Sequence, residues 1–171
     1  MTKPISFLLF PLLIGCSEPK KTAIANIVAK NNSSVSGSAI FNEKSGKVKI
    51  DVSITGVGAG PVAIHIHETG DCSSDDGKST GGHWNPTAED HGKWGEPPFH
   101  SGDIGNITID QYGAGTLSLV DTYGRWTIGA PPETNIINKA IIIHLGDDDM
   151  RSQPTGAAGA RIGCGVIRIK N

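Results

Sequence analysis

The chain has 171 residues, of which 37% are hydrophobic and 19% are charged, so it is long enough for one domain with a core of its own. Its formal net charge at pH 7 is −2. Because the chain has no excess of basic residues, this balance argues against a nucleic-acid partner and against electrostatic binding to an anionic membrane.

The first 15 residues have the pattern of a cleaved leader rather than of the fold. Lys3 precedes an apolar run from Ile5 to Ile14, which is far shorter than the ~20 residues that a membrane-spanning helix needs. The run ends in Leu13-Ile14-Gly15-Cys16, which resembles a bacterial lipobox. We therefore expect a lipoprotein signal peptide over 1–15, a lipid on Cys16 and a polar tether over 16–21. The alternative is an ordinary cleaved signal that happens to contain a cysteine.

The rest of the chain, residues 22–171, predicts one all-β domain. Short runs rich in Val, Ile and Thr are separated by turn residues, and the sequence shows no long amphipathic pattern. Hairpin turns are predicted at 42–46 and 110–113. Eight short strands and 23 glycines favour a β-sandwich or barrel. The predicted strands are 22–30, 35–42, 47–55, 61–67, 104–109, 115–120, 139–144 and 164–170.

Two long segments, 68–103 and 145–163, interrupt the strand pattern. Loops of this length in a compact domain are usually functional or disordered, and their histidines, aspartates and cysteines favour function. Trp84 and Trp94 are predicted to pack beneath the first loop. With Cys16 assigned to the lipid, Cys72 and Cys164 remain as an even pair in an exported chain, which predicts a disulfide. Two free thiols, or Cys72 as a metal ligand, are the alternatives.

The chain has 6 histidines, and their spacing predicts a metal centre. His65 and His67 alternate along a predicted strand, so both imidazoles point to one face. Other histidines arrive from distant segments, and Asp103, three residues after His100, adds a carboxylate of the kind that zinc uses. A lone histidine is usually an ordinary surface or core residue, but in this arrangement a metal site accounts for nearly all six histidines. The remaining histidines are His83, His91 and His144.

The order of these motifs resembles the copper/zinc superoxide dismutase family in its exported bacterial form. The resemblance runs from about residue 35 to the end of the chain. The stretches that carry it are Ala63-Ile64-His65-Ile66-His67-Glu68-Thr69-Gly70-Asp71-Cys72, Gly82-His83-Trp84-Asn85-Pro86, His100-Ser101-Gly102-Asp103, Ile143-His144 and Gly156 to Ile167.

This resemblance implies an eight-stranded Greek-key β-barrel with two long functional loops, one copper ion and one zinc ion. By position, copper corresponds to His65, His67, His83 and His144. Zinc corresponds to His83, His91, His100 and Asp103. His83 is thus shared between the metals. The division accounts for all six histidines and suits the donor preferences of both ions.

The resemblance also implies roles for two residues outside the ligand sets. Arg161 corresponds to an arginine that stands over the copper and holds a small anion, and the alternative is a surface arginine paired with an acid. Asp148 corresponds to an aspartate that ties the outer nitrogen of a copper ligand, His65, to that of a zinc ligand, His91. Asp147 and Asp149 are rivals within one residue.

The implied activity is conversion of superoxide to oxygen and hydrogen peroxide by alternate reduction and reoxidation of copper, with His83 and Arg161 as catalytic residues. The implied location is the periplasmic side of a bacterial cell envelope, held to a membrane only through the lipid at Cys16. The oligomeric state is left open, with a homodimer as one alternative. The competing function is a non-catalytic copper- and zinc-binding module.

The chain departs from the family mainly in the 145–160 loop. This loop is shorter than in the eukaryotic enzymes and lacks their series of charged Glu and Lys residues. Steering of the substrate by that series is therefore not expected here. Lys78, Lys93 and Arg151 are the candidates to replace it.

Overall fold

The computed structural model describes residues 20–170. The predicted signal peptide, the lipidation site Cys16 and most of the tether lie outside the described residues. Within them, no helix is long and apolar enough to cross a membrane. The described part of the chain is built from β-strands and one short 3-10 turn at Lys78–Thr80. The strands are β1 Lys21–Ala29, β2 Ser36–Lys44, β3 Lys47–Thr55, β4 Gly60–His67, β5 Gly105–Ile109, β6 Ala114–Val120, β7 Ala140–His144, β8 Arg161–Val166 and β9 Arg168–Ile169.

The strands form a nearly closed antiparallel barrel, as the sequence predicts. The order is β5-β4-β7-β8-β1-β2-β3-β6, and β9 pairs with β1. The two end strands, β5 and β6, pack against each other and so bring the sheet round on itself. The connections from β3 to β4 and from β6 to β7 cross between non-adjacent strands, which gives the Greek-key path.

Alternation of side chains fixes which face of each strand lies in the core. In β3, Val48 and Ile50 are buried, whereas Lys47 and Lys49 are exposed, as expected for a strand with one face in water. In β4, Ile64 and Ile66 point into the core and the intervening His65 and His67 point to the opposite face. That face is also buried, because the long loops cover it.

The predicted boundaries need one correction. The last strand was predicted over 164–170, but β8 begins at Arg161, and Ile167 separates it from β9. The sequence does not indicate the start of β8, because Gly163 follows it and glycine usually weakens a strand. At Gly163 a Cβ atom would lie 2.9 Å from the Val35 side chain and 3.0 Å from the Ile27 side chain, so close packing favours glycine there. Ile167 is buried, and its backbone N–H donates to the Lys139 carbonyl instead of continuing the ladder.

Three loops cover one side of the barrel and position the histidines. The two predicted loops connect β4 to β5 and β7 to β8. Trp84 is buried and Trp94 packs partly buried against the core, as predicted. The third loop, 121–139, was not singled out from the sequence. It buries Trp126, whose indole N–H donates to the Ser101 carbonyl at 2.7 Å within the first loop.

Candidate metal centre

Four histidines meet where β4 and β7 run side by side. His65 pairs in register with Ile142, and His67 pairs with Ala140, two strand positions away. His144 ends β7 and brings its imidazole within 5.0 Å of the His65 ring. His83 arrives from the loop after β4, held by a bridge to His67, with its ring centroid 3.9 Å from that of His65.

These four side chains form a set of metal-ligand type. All four are buried, and their ligand atoms lie within 4.8 Å of one another. In each ring one nitrogen is buried without a hydrogen-bond partner. Such orphaned polar atoms are rare in protein interiors and call for an ion or other partner. Nitrogen ligands from imidazole are what copper prefers, so these residues fit that metal. The four atoms are His65 Nδ1, His67 Nε2, His83 Nε2 and His144 Nε2.

The opposite nitrogen of each ring is held in place. His67 Nδ1 donates to the Gly81 carbonyl at 2.9 Å, and His144 Nδ1 contacts the Gly159 carbonyl at 3.2 Å. Because these outer nitrogens carry the proton, the inner nitrogens present lone pairs to the centre of the set.

A second set, His83, His91, His100 and Asp103, lies on the other side of the shared imidazole. Its ligand atoms also lie within 4.8 Å of one another. The Asp103 Oδ1 atom is 2.8 Å from His83 Nδ1, 3.0 Å from His91 Nδ1 and 3.2 Å from His100 Nδ1. Three imidazoles and one carboxylate suit tetrahedral zinc. The other Asp103 oxygen accepts the backbone N–H groups of His100 and Gly92.

His83 is the one residue common to both sets. Its Nε2 atom faces the first set without a partner, whereas its Nδ1 atom faces Asp103 in the second. Two sets that share one ring can hold two ions on its two nitrogens. The family resemblance implied the same two sets, with the same six histidines and Asp103.

Asp148 links the two sets from outside. One carboxylate oxygen lies 2.9 Å from His65 Nε2 and the other lies 2.9 Å from His91 Nε2. Asp148 is buried, whereas its rivals Asp147 and Asp149 are exposed. The predicted register therefore agrees with the structure. Asp149 instead accepts backbone N–H groups within its own loop.

Burial keeps three imidazoles of the first set neutral. Burial lowers the pKa of His67 well below its usual value, and nearby His83 and Arg161 lower it further. Burial also lowers the pKa of His83 to about 4, although the hydrogen bond to Asp103 opposes it. The pKa of His144 falls to about 3, chiefly through burial. At neutral pH these rings are therefore free of the proton that would compete with a metal.

The pKa of His91 is raised instead of lowered. Burial alone would lower its pKa, but the Asp103 carboxylate 3.0 Å from Nδ1 and the Asp148 carboxylate 2.9 Å from Nε2 outweigh burial and raise the pKa to about 9. Burial likewise disfavours the charged Asp103 and Asp148, yet their hydrogen bonds to histidines hold both pKa values well below the ordinary range. In the metal-free protein the two carboxylates therefore favour the protonated form of His91, and a metal must displace that proton.

Arg161 lies at the edge of the first set. It pairs with His144 across β7 and β8, beside a register shift in the ladder. Its Nη1 atom donates to the Gly77 carbonyl at 2.9 Å and to Thr80 Oγ1 at 3.0 Å. Arg161 also lines a surface cavity of about 460 Å³. The residues that line this cavity are Asn31, Asp76, Lys78, Gly159, Ala160 and Arg161.

The predicted disulfide is present between Cys72 and Cys164, whose Cα atoms are 5.9 Å apart. It ties the first loop to β8, three residues from Arg161. The Lys30 ammonium donates to the Cys72 carbonyl from the end of β1. The loop that supplies Gly77 is thus attached to the barrel on the side where Arg161 emerges.

The candidates for substrate steering occupy different places. Lys78 lines the Arg161 cavity, and its side chain is 79% exposed, although it pairs with Asp76 at 3.0 Å. Lys93 pairs instead with Glu96. Arg151 is exposed in the loop after β7. Among these three, Lys78 is the one that the structure places beside Arg161.

Sequence reasoning missed several residues that hold the ligands. The Gln153 side-chain amide accepts the His91 N–H and donates to the His91 carbonyl, both at 2.9 Å. The Asn106 side chain makes the same kind of double contact with the Asp148 backbone, at 2.8 and 2.9 Å. An isolated Gln in a loop or Asn in a strand carries no sequence signal for such a contact.

Arg125, in the loop that was not singled out, supports the second set through Glu89. Its Nη2 atom donates to both Glu89 oxygens at 2.9 and 3.0 Å, and the guanidinium lies 4.7 Å from the Phe99 ring centre. The Glu89 carbonyl in turn accepts from His100 Nε2 at 3.0 Å. Only the barrel path brings these distant segments together.

Comparison with known proteins agrees with this geometry. Residues 35–167 match the family described as copper/zinc superoxide dismutase (SODC). Superoxide dismutase [Cu-Zn] 2 of Mesembryanthemum crystallinum is 33% identical over 150 residues, which cover 84% of this chain and 93% of that protein. A crystal structure of the clock protein EA4 superposes with a TM-score of 0.77 at 34% identity, covering 87% of this chain and 94% of the other. With a family match over most of its length and two sets of donors that fit the two metals, this chain belongs to the copper/zinc superoxide dismutase family.

Proposed function

We propose that His65, His67, His83 and His144 hold copper in this superoxide dismutase, and that the second set holds zinc. Family membership makes the chain an oxidoreductase with copper and zinc as cofactors and superoxide as substrate. The observation that carries the residue assignment is the convergence of four buried, unpartnered imidazole nitrogens whose opposite nitrogens are held. Such a pocket is preorganised for a cation and costly without one.

Copper, when bound, supplies the one-electron oxidation and reduction that turn two superoxide ions and two protons into oxygen and hydrogen peroxide. The protein must bring an anion to this site and deliver protons. We assign the Nε2 atom of His83 as the group that carries a proton to the substrate. In the metal-free protein burial lowers the pKa of this ring to about 4, so the nitrogen is free of a competing proton at neutral pH and open to a metal or to a proton passed to the substrate. The other nitrogen faces Asp103, and zinc bound to the second set would keep the ring oriented from that side.

Arg161 is the residue that we assign to superoxide capture. Among the described residues, its hydrogen bonds all use Nη1, so Nε and Nη2 can donate to an anion in the cavity. The guanidinium keeps its charge at any physiological pH and suits a small anion. Its position next to His144 places that charge beside the first set.

The test of this function is superoxide consumption measured together with metal content. Protein loaded with one copper and one zinc should remove superoxide far faster than the metal-free protein. Full loading of both metals without acceleration over the spontaneous reaction would favour the alternative, a non-catalytic copper- and zinc-binding module.

We also propose the exported lipoprotein form, in which Cys16 carries a lipid and the domain lies on the periplasmic side of a bacterial envelope. The support is the apolar run that ends in Leu13-Ile14-Gly15-Cys16, together with a disulfide, which is more common in oxidising compartments. Replacing Cys16 with serine should release the protein from membranes with its activity intact. A Cys16→Ser protein that is exported and still sediments with membranes would refute the anchor.

The homodimer remains a prediction, which sedimentation analysis of the domain without its lipid would test.

A further inference from the structure

We propose that Thr80 is a positioning residue, whose hydroxyl fixes the Arg161 guanidinium beside the ligand His67. Thr80 is fully buried within the 3-10 turn of the first loop. Its Oγ1 atom lies 3.0 Å from Arg161 Nη1 and 3.3 Å from His67 Nδ1, and it donates to the Gly77 carbonyl at 2.8 Å. One oxygen therefore touches the proposed anion-binding residue and a proposed copper ligand.

The hydrogen-bond capacity of the hydroxyl fits this arrangement. A threonine hydroxyl has one donor and two acceptor positions. The donor goes to Gly77, which leaves both acceptor positions for N–H groups of Arg161 and His67. The His67 Nδ1 proton also has the Gly81 carbonyl at 2.9 Å, so that ring is oriented without Thr80. The orientation of Arg161 depends more on Thr80, because the Gly77 carbonyl is the one other hydrogen-bond partner of its side chain among the described residues.

The chemistry of the two anchors suits an arginine that must attract an anion. Both are neutral oxygens, a carbonyl and a hydroxyl. Among the described residues, no carboxylate forms an ion pair with Arg161. An acidic anchor would orient the guanidinium equally well but would cancel much of its field at the cavity. Thr80 thus orients the charge without neutralising it.

The consequence is specific to the hydroxyl. Valine has nearly the shape of threonine, so Thr80→Val changes the side-chain volume little while it removes both the acceptor for Arg161 and the donor to the Gly77 carbonyl. A hydrogen bond to a charged group is among the stronger ones, and its loss should free Arg161 to leave the cavity wall. We expect anion affinity to fall about three- to tenfold, with copper and zinc retained.

The experiment compares Thr80→Val with wild type and with Thr80→Ser, which keeps the hydroxyl. The first readout is the dissociation constant of azide, a small anion, from the copper- and zinc-loaded protein, followed by absorption. The second readout is the rate at which phenylglyoxal modifies Arg161 in the metal-free protein, measured by mass spectrometry. The protein's other arginines, Arg125, Arg151 and Arg168, serve as internal references. We expect weaker azide binding and faster labelling of Arg161 alone in Thr80→Val, with Thr80→Ser close to wild type.

This inference rests on the proposed role of Arg161, so Arg161→Ala is measured in parallel. If Arg161→Ala weakens azide binding while Thr80→Val changes neither azide binding nor labelling, the inference about Thr80 is wrong and the role of Arg161 stands. If Arg161→Ala leaves azide binding unchanged, the proposed role of Arg161 fails, and this inference fails with it. Should Thr80→Val not fold, Thr80→Ala and Thr80→Ser carry the same comparison, because they differ by one oxygen; equal azide binding and labelling in that pair would overturn the inference.

Discussion

Replacement of Asp148 with asparagine tests the link between the two sets of ligands. Asp148 accepts one hydrogen bond of 2.9 Å from His65 and another of 2.9 Å from His91, and it is buried. An asparagine has a single acceptor oxygen, so it can satisfy one imidazole N–H and must turn its own NH2 group toward the other. A metal-bound ring cannot rotate to find a new partner, whereas a metal-free ring can, so the loaded state loses more than the metal-free state.

The magnitude follows from that single lost partner. A buried donor left unsatisfied costs about 1–3 kcal/mol, which corresponds to roughly 5- to 150-fold in affinity. Outer partners of metal-bound histidines typically change metal affinity by about 10–100-fold, which is the same range. We therefore expect zinc affinity to fall by about one to two orders of magnitude in Asp148→Asn.

The assay is competition for zinc against a chromogenic chelator, and the chain offers a matched control. Asp147 is adjacent and exposed, so Asp147→Asn makes the same chemical change outside the link. It should bind zinc like wild type. Zinc affinity in Asp148→Asn within threefold of wild type, or an equal loss in Asp147→Asn, would refute the reasoning.

Three further predictions concern the same centre. Gly156→Ala should lower metal affinity and stability, because a Cβ atom there would overlap Asp148 and lie 2.7 Å from His91 Nε2, at a φ of +65° that alanine adopts poorly; circular dichroism melts and metal content check this, and a variant as stable and as fully loaded as wild type would contradict it. Zinc binding near pH 7 should release about one proton, because His91 has a pKa of about 9 and must lose its proton to bind, so affinity should rise about tenfold per pH unit up to that value; calorimetry in buffers of different ionisation enthalpy measures the release, and no proton release at pH 7 would count against it. Arg161→Glu should lower the rate of superoxide consumption by at least about tenfold with both metals retained, because it reverses the charge at the cavity; undiminished activity at full metal content would remove Arg161 from the site.

Much of the fold could be predicted because local pattern and burial agree. In β3 the alternation of Val48 and Ile50 with lysines specifies one buried face, and the structure follows it. The same period of two placed His65 and His67 together on the face opposite Ile64 and Ile66. The predicted start of β8 was wrong because glycine has a low strand propensity, whereas at Gly163 close packing favours glycine within the strand.

The spacing of the histidines predicted a metal centre because metal ligands are chemically distinctive residues, and the family resemblance implied how they divide into two sets. The residues that hold the ligands were not predicted, because Gln153, Asn106 and Arg125 act through contacts that only the barrel path creates. Thr80 belongs with these, since a threonine before two glycines has no pattern that indicates an arginine 81 positions away.

The most direct test of the account is diffraction from crystals of the active, metal-loaded protein, with anomalous data collected at the copper and zinc absorption edges. We predict two peaks on opposite sides of the His83 ring. The copper peak should lie among His65 Nδ1, His67 Nε2 and His144 Nε2, and the zinc peak should lie against Asp103 Oδ1. A copper peak in the set that contains Asp103, or a peak on only one nitrogen of His83 in fully active protein, would contradict the account.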